Sequence, residues 1–279
     1  MDNIGDALKK AAEKKKDAFE IGIPSSKPGF CDSVEYKKQP STPAPIPPKA
    51  TVNRAKIVDP RIVAYYEDNG KILEDYRALL TQILSIQEES GKVLKTIALT
   101  SSREGEGKSI TALNMSIILA KNYKKKTLIM DCNIRNPGIN TLLGINIKKG
   151  LSDILREDIP FSVEILETGI DKLSMIPAGE IYSNPAQVFA SERMKSLLEE
   201  IKKQFDIIIL DTPAVIPYAD PRILAPLVDG VLLVIQSGRV RREVVQRTES
   251  ILQEVGANIL GCLLTGVEYY IPEYIHRHL

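Results

Sequence analysis

Short apolar runs that alternate with helical patterns restrict the fold of this chain more than any other feature. The runs lie at residues 96–100, 127–130, 173–176, 207–210, 231–235 and 259–264. Apolar residues at helical spacing separate most of them, as at residues 112–121, 186–203 and 243–255. Strands that are apolar on both faces and alternate with helices are typical of a mostly parallel sheet with helices on both sides. We therefore predict an α/β fold of three layers.

The flanks of this alternating region have a different composition. Residues 1–21 place apolar side chains at near-helical spacing among lysines and acids, which predicts a short amphipathic helix that is either solvated or bound to a partner. Residues 22–60 include four prolines crowded between positions 43 and 48, which predicts an extended linker. We expect one α/β domain over residues 61–267 and a tyrosine-containing tail at residues 268–279.

Charge and cysteine content exclude several classes of protein. Lysine and arginine number 37 against 36 acids, for a formal net charge of +1, so no global basic field indicates nucleic acid as a partner. Three scattered cysteines fit a reducing compartment rather than a disulfide framework. The sequence has neither an apolar run of about 20 residues nor an apolar segment typical of a signal peptide. We expect a cytoplasmic protein that does not itself cross a membrane.

A glycine-containing loop at residues 102–109 connects the first predicted strand to a helix and ends with the Gly-Lys-Ser spacing of a Walker A loop. Glycines let backbone N–H groups approach phosphate oxygens, and the following helix presents its positive end. The lysine can reach the β- and γ-phosphates, and the serine can ligate Mg²⁺. We therefore predict a three-layer P-loop fold that binds ATP and Mg²⁺. The predicted nucleotide contacts are Gly105, Glu106, Gly107, Lys108, Ser109 and Ile110.

Two predicted strands end in an acid. Asp211 follows the apolar run at 207–210 and has the pattern of a Walker B carboxylate, and Asp131 follows the run at 127–130. Ligands of open parallel sheets bind beyond the carboxyl ends of the strands, so Asp211 should face the same crevice as Lys108. There it can hold Mg²⁺ directly or through water. A single acid after a strand is often only a turn or cap residue, but two acids beside one P-loop favour a site.

The order of these motifs resembles the bacterial tyrosine kinases, the autokinases of capsule and exopolysaccharide assembly. The resemblance covers residues 64–267. It is carried by the loop at 102–109 and by residues 128–137, 176–179, 184–186, 209–213 and 228–234.

The resemblance implies an ATP-dependent tyrosine autokinase with Lys108, Asp131 and Asp211 as catalytic residues. Ser109 and Asp211 are then the metal ligands, and Asp131 is a candidate base or further ligand near the attacking hydroxyl. The implied phosphoacceptors are Tyr269, Tyr270 and Tyr274 of the tail. Tyrosines in an apolar tail could equally be anchors that pack onto a partner or a membrane surface.

The resemblance also implies partners. These are a membrane-embedded polysaccharide chain-length determinant that completes the active site, and further copies of the chain in a homo-oligomer. Membrane association would then be indirect, at the inner face of the cell membrane. The family's oligomerisation motif commonly ends in an arginine where this chain has Leu80, although Glu74 and Arg77 keep the other two positions.

Two further departures leave alternative functions open. Asn133 stands where the family commonly has a second aspartate, which favours a catalytically impaired nucleotide-binding scaffold. Arg103 lies five residues before Lys108, where partitioning ATPases have a signature lysine, and favours an ATP-dependent switch without tyrosine phosphorylation. The tyrosines of the tail oppose the switch. Thr265 replaces an asparagine that the family commonly has after the last strand.

Overall fold

The computed structural model describes residues 57–91, 93–156, 165–180 and 184–267. The predicted N-terminal amphipathic helix, nearly all of the predicted linker and the tyrosine-containing tail lie outside these described residues. No helix among the described residues has the length and apolar character needed to cross a membrane.

Seven strands and a set of helices alternate along the described chain. The strands are β1 (Thr96–Ser101), β2 (Thr127–Asp131), β3 (Leu166–Ile170), β4 (Leu173–Ile176), β5 (Ile207–Ala214), β6 (Gly230–Gln236) and β7 (Ile259–Thr265). The helices are α1 (Val63–Tyr66), α2 (Lys71–Ser90), α3 (Lys108–Lys121), α4 (Ile139–Leu143), α5 (Leu151–Arg156), α6 (Pro185–Phe189), α7 (Glu192–Gln204), α8 (Asp220–Leu224) and α9 (Arg242–Glu254).

The strands form one sheet in the order β3-β4-β2-β5-β1-β6-β7. Every neighbouring pair is parallel except β3 and β4, which are antiparallel. The mostly parallel α/β fold predicted from the sequence is confirmed. Because β1 lies between β5 and β6, and β2 lies on the other side of β5, the carboxyl ends of β1, β2 and β5 are adjacent.

Helices cover both faces of the sheet, and the strand β5 shows how. Its residues Ile207 and Ile209 belong to a core packed under α2 and α3, whereas Ile208 and Leu210 belong to a second core packed under α7 and α9. Successive side chains of a strand point to opposite faces, so a strand buried on both sides must be apolar throughout. This arrangement confirms the three layers.

The helix α3 is central to the first core. Every residue from Thr111 to Ala120 is buried, as expected for a helix that is enclosed on all sides. Its position is therefore fixed by packing along its whole length. The glycine-containing loop leads directly into α3. Because α3 is fixed in the core, the loop is held at the carboxyl end of β1.

Two boundaries differ from the sequence prediction. The pattern at residues 186–203 predicted one helix, but α6 and α7 are separate because Ser191 caps α7, with its side chain accepting a hydrogen bond from the Met194 N–H at 3.3 Å. At the other boundary, Val58 is 3% exposed and the Asp59 N–H donates to the Leu142 carbonyl at 2.8 Å. The packed region therefore includes residues that the prediction assigned to the linker.

Candidate active site

The loop between β1 and α3 depends on two glycines with left-handed backbone. Gly105 has φ of 78° and Gly107 has φ of 92°, values that residues with a Cβ rarely adopt. Gly107 directly precedes the first residue of α3. The first N–H groups of a helix have no partner within the helix, and together with the helix dipole they favour an anion at this end. The loop therefore has the backbone of a phosphate-binding site.

The side chain of Glu106 holds this loop from inside the protein. It is 1% exposed, and its carboxylate accepts hydrogen bonds from the backbone N–H groups of Arg103 and Gln236. The Thr265 hydroxyl donates to the Glu106 carbonyl at 2.9 Å, which ties the loop to the end of β7. The predicted nucleotide contact of Glu106 can therefore involve only its main chain.

Lys108 is held close to the end of β1. Lys108 is buried, with 6% of its surface exposed, and its ammonium donates to the Ser101 hydroxyl at 2.9 Å. Burial lowers the pKa of Lys108, while the negative charges of Asp211, Glu106 and Glu104 oppose that shift. The ammonium is thus placed inside the loop, where a bound phosphate would offer it a stronger acceptor than a hydroxyl.

Asp131, the last residue of β2, lies beside Asp211 of β5, and β5 continues to Ala214 beyond the point where the sequence predicted its end. The two aspartates are register partners in the parallel pair, and they are 1% and 0% exposed. Asp131 accepts backbone hydrogen bonds from Asn133 at 3.1 Å and from Ile139 at 3.2 Å. Neither carboxylate oxygen of Asp211 has a partner at full hydrogen-bond geometry within the described part of the chain, although the Ser109 hydroxyl is close enough to influence its pKa. A buried, unpartnered carboxylate is costly, so this position favours a ligand that supplies positive charge.

The pKa values of both carboxyl groups are raised. For Asp131 the main cause is burial, followed by the charge of Asp211, and backbone hydrogen bonds partly oppose both effects. For Asp211 burial again raises the pKa, while the Ser109 hydroxyl and the Lys108 ammonium oppose the rise. Two buried carboxyl groups this close resist simultaneous ionisation unless a cation compensates them.

A cleft of about 420 Å³ opens beside the loop and contains most of the predicted nucleotide contacts. Its lining residues are Arg61, Glu104, Gly105, Gly107, Lys108, Ser109, Ile110, Asn133, Asn136, Pro137, Gly138, Thr141, Leu142, Pro213 and Ala214. Asp131 and Asp211 do not line it, because both are buried, but Asn133 after Asp131 and Pro213 and Ala214 after Asp211 do. A larger cavity of about 690 Å³ lies around Lys124, Lys126 and Lys172 and shares no residue with the loop.

Ser109 of this cleft and the buried Asp211 together fit a magnesium ion. Mg²⁺ prefers oxygen ligands, commonly one or two carboxylates together with substrate phosphates. Asp211 offers two unpartnered buried oxygens, and a Cβ added at Gly138 would lie 3.3 Å from the Ser109 Oγ, so that hydroxyl is at the wall of the same cleft.

A polar network borders the other side of the loop, and the sequence prediction missed part of it. The Tyr218 hydroxyl donates to Glu104 at 2.6 Å. Arg135 makes two hydrogen bonds to the buried Asp220, at 2.7 and 3.1 Å, and its guanidinium carbon lies 4.9 Å from the centre of the Tyr218 ring. Arg135 belongs to a motif already recognised, whereas Asp220 and Tyr218 come from a segment without a sequence signature.

The fold and this loop define a P-loop α/β protein, and comparisons with known proteins make the class narrower. The profile of a family described as an AAA domain matches residues 94–257. Tyrosine-protein kinase CpsD of Streptococcus agalactiae is 33% identical over 224 residues, which cover 80% of this chain and 94% of that protein. The chain belongs to the bacterial tyrosine-protein kinase family, as the order of motifs predicted.

Two further similarities bear on this assignment. The kinase domain of the Escherichia coli tyrosine kinase ETK has a TM-score of 0.67 and 25% identity, covering 72% of this chain and 77% of that one. The succinoglycan biosynthesis transport protein ExoP of Rhizobium meliloti is 31% identical over 182 residues, which cover 64% of this chain and 23% of that protein. Protein-tyrosine kinases are thus found among both the sequence relatives and the structural neighbours.

Proposed function

We propose that this chain transfers the γ-phosphoryl group of Mg-ATP to tyrosines of its own C-terminal tail, with Tyr269, Tyr270 and Tyr274 as acceptors. The observation that carries the proposal is the buried pair of Asp131 and Asp211 next to the P-loop. A P-loop supplies phosphate binding, and the pair adds the carboxylates that phosphoryl transfer needs for a metal and for a proton.

Each of these residues has a separate role in the proposed phosphoryl transfer. The tyrosine oxygen forms a bond to the γ-phosphorus, the bond from that phosphorus to the β,γ-bridging oxygen breaks, and ADP leaves. Lys108 stabilises the negative charge of the phosphates, and Ser109 and Asp211 hold Mg²⁺. The metal, when bound, neutralises charge on the β- and γ-phosphate oxygens.

Asp131 is the proposed acceptor of the phenol proton. Its pKa is raised by burial and by the charge of Asp211, and a general base is most effective when its pKa lies near the working pH. The two backbone N–H groups that bond its oxygens fix the orientation of the carboxyl group.

A membrane partner and a biological role follow from the family. We propose a membrane-embedded polysaccharide chain-length determinant as the activator, which would place this chain at the inner face of the membrane. The role would be control of exopolysaccharide or capsule chain length or export, in line with the name of the ExoP relative.

The surface of α2 bears on assembly into a homo-oligomer. Arg77 bonds to Glu74 and also donates to the Asp68 carbonyl at 2.6 Å. Leu80 is 1% exposed, so the third position of the family's oligomerisation motif contributes to the core in this chain. A homo-oligomer is therefore proposed only on family grounds, with Glu74 and Arg77 as its candidate contacts.

Asn133 favours a second candidate, a nucleotide-binding scaffold with impaired catalysis. Its side chain lines the cleft and accepts a hydrogen bond from the Asn136 N–H at 3.3 Å. An amide at this position brings no negative charge for a metal. The third candidate, a partitioning-type switch, depends on Arg103, whose side chain is exposed on the loop and available to a second subunit.

The deciding experiment incubates the purified chain with Mg-ATP, with and without the cytoplasmic fragment of a candidate activator, and maps phosphate by mass spectrometry. We expect phosphate on Tyr269, Tyr270 or Tyr274, and none in the Lys108→Met and Asp131→Asn variants. Circular dichroism would establish that both variants are folded. ATP binding without phosphotyrosine under any condition would reject the kinase and leave the scaffold or the switch, which ATP hydrolysis would separate.

A further inference from the structure

Arg61 lies outside every nucleotide-binding motif of the sequence, yet it lines two clefts at the P-loop. One is the cleft of about 420 Å³ that contains Lys108 and Ser109. The other has a volume of about 250 Å³ and is bordered by Gln236, Thr265 and Gly266. Among the residues that the structure describes, Gly105, Gly107 and Ile110 are the others that line both clefts. A ligand that extends from one cleft to the other must pass these four residues.

The backbone around Arg61 is fixed by contacts with distant parts of the fold. The Asp59 N–H donates to the Leu142 carbonyl at 2.8 Å, and the Arg61 carbonyl accepts from the Asn114 side chain at 3.1 Å. Asn114 is buried on α3, and Ile62 is 0% exposed. This segment is therefore anchored both to the helix that follows the P-loop and to α4.

The guanidinium of Arg61 is also oriented. Asp59 accepts from its Nε at 2.9 Å and from its Nη2 at 2.8 Å. A guanidinium has five N–H donors, so the two bonds to Asp59 leave three for another acceptor. The Arg61 side chain nevertheless remains 64% exposed, which leaves it accessible from the clefts. A cation that is already held in place loses little entropy when it binds an anion.

We propose that Arg61 binds the phosphate chain of the nucleotide where the two clefts meet. A guanidinium matches the geometry of phosphate oxygens and binds them with two parallel hydrogen bonds. Asp59 is then a positioning residue that sets the direction of the guanidinium. The inference rests on the proposed nucleotide site but does not depend on tyrosine phosphorylation.

The test measures equilibrium binding of Mg-ATP, Mg-ADP and inorganic triphosphate to the full chain, by calorimetry or by competition with a fluorescent ADP. Arg61→Ala should weaken the binding of all three ligands by about tenfold or more, which is the usual scale of a hydrogen bond to a charged group. Arg61→Lys should retain part of the affinity, since it keeps the charge but loses the paired geometry. The affinity of Asp59→Asn should lie between that of the wild type and that of Arg61→Ala.

Lys125→Ala is the matched control. Lys125 is exposed and precedes β2, at the amino-terminal edge of the sheet, so its loss changes the net charge equally without touching the clefts. Thermal unfolding would establish that each variant is folded. If folded Arg61→Ala bound all three ligands within about twofold of Lys125→Ala, the inference would be overturned, and Arg61 would serve only the turn with Asp59. If Arg61→Ala lost affinity while no phosphotyrosine formed in the wild type, the inference would stand and the kinase proposal would fail.

Discussion

Asp131 and Asp211 are direct neighbours in the register of β2 and β5, and both carboxyl groups are removed from solvent. The parallel register produces this pair because it aligns the last residue of β2 with Asp211 in the second half of β5. Two acids in a dry environment oppose each other's ionisation. A cation bound beside them would offset both the burial and the mutual repulsion, so the same geometry explains the raised pKa values and the fit to Mg²⁺.

The first prediction concerns the pH dependence of stability without Mg²⁺ and nucleotide. The pKa values of Asp131 and Asp211 in the folded chain lie above the ordinary value of 3.8. At pH values between the ordinary pKa and the raised pKa of each group, the folded chain binds more protons than the unfolded chain. The free energy of unfolding therefore falls as the pH rises through this range. Each pKa unit corresponds to about 1.4 kcal/mol. Urea unfolding in EDTA should show lower stability at about pH 8 than at about pH 5.

Asp211→Asn provides the control for this pH effect. The variant removes one of the two acids, so its stability should depend less on pH and should exceed that of the wild type at about pH 8. A wild type that is equally stable at both pH values would show that the pair is not buried as described.

The second prediction concerns Glu106, whose carboxylate accepts the N–H groups of Arg103 and Gln236. Glu106→Ala leaves both donors without their acceptor, which should lower the free energy of unfolding by on the order of 1 to 3 kcal/mol. Glu106→Gln keeps one acceptor oxygen, so its free energy of unfolding should fall by less. Urea unfolding without nucleotide measures this directly. Normal stability together with weak ATP binding would instead assign the Glu106 side chain to nucleotide contact.

The third prediction uses Gly138, which has an ordinary φ of −112°, so alanine is not strained there. An added Cβ would lie 3.3 Å from the Ser109 Oγ and would displace that hydroxyl by a few tenths of an ångström. Gly138→Ala should therefore retain its stability to within about 1 kcal/mol. It should, however, lose part of the gain in ATP affinity that Mg²⁺ provides. Calorimetry in Mg²⁺ and in EDTA separates the two effects.

Ser109→Ala is the comparison for Gly138→Ala, because it removes the same hydroxyl outright and should reduce the Mg²⁺ dependence at least as much. An unchanged Mg²⁺ dependence in both variants would exclude Ser109 as a metal ligand.

The sequence predicted the central strands of the fold because these are apolar on both faces, as in β2 and β5. It missed β3, whose residues alternate between buried and exposed at the edge of the sheet. It also missed the short helices α4, α5 and α8, each of five or six residues. Elements that short contain too few turns for a periodic pattern to be recognised.

The candidate site likewise includes residues that the sequence predicted and residues that it missed. Motif spacing identified Lys108, Ser109 and Asp211, because Lys108 and Ser109 end the Walker A motif and Asp211 follows an apolar run, although β5 continues three residues past that run's acid. It could not identify the burial of Glu106, since a charged residue in a glycine-containing loop normally faces solvent. That burial depends on Gln236, 130 residues away in the chain. Arg61 likewise reaches the cleft only because its turn packs against Leu142.

The last prediction concerns Asn133→Asp, which would restore the acid that the family commonly has at this position. An aspartate keeps an oxygen that can accept from the Asn136 N–H, so the turn should be preserved. One more charge beside a cation in a partly exposed cleft contributes about 1 to 4 kcal/mol. The Mg²⁺ concentration needed for half-maximal phosphotyrosine formation should therefore fall by about fivefold or more, with Asn136→Asp, on the same cleft wall, as the matched control. A larger yield of phosphotyrosine in Asn133→Asp alone would mean that the native chain is an attenuated kinase. A loss of phosphotyrosine would mean that the amide itself contributes to catalysis and that Asn133 is no defect.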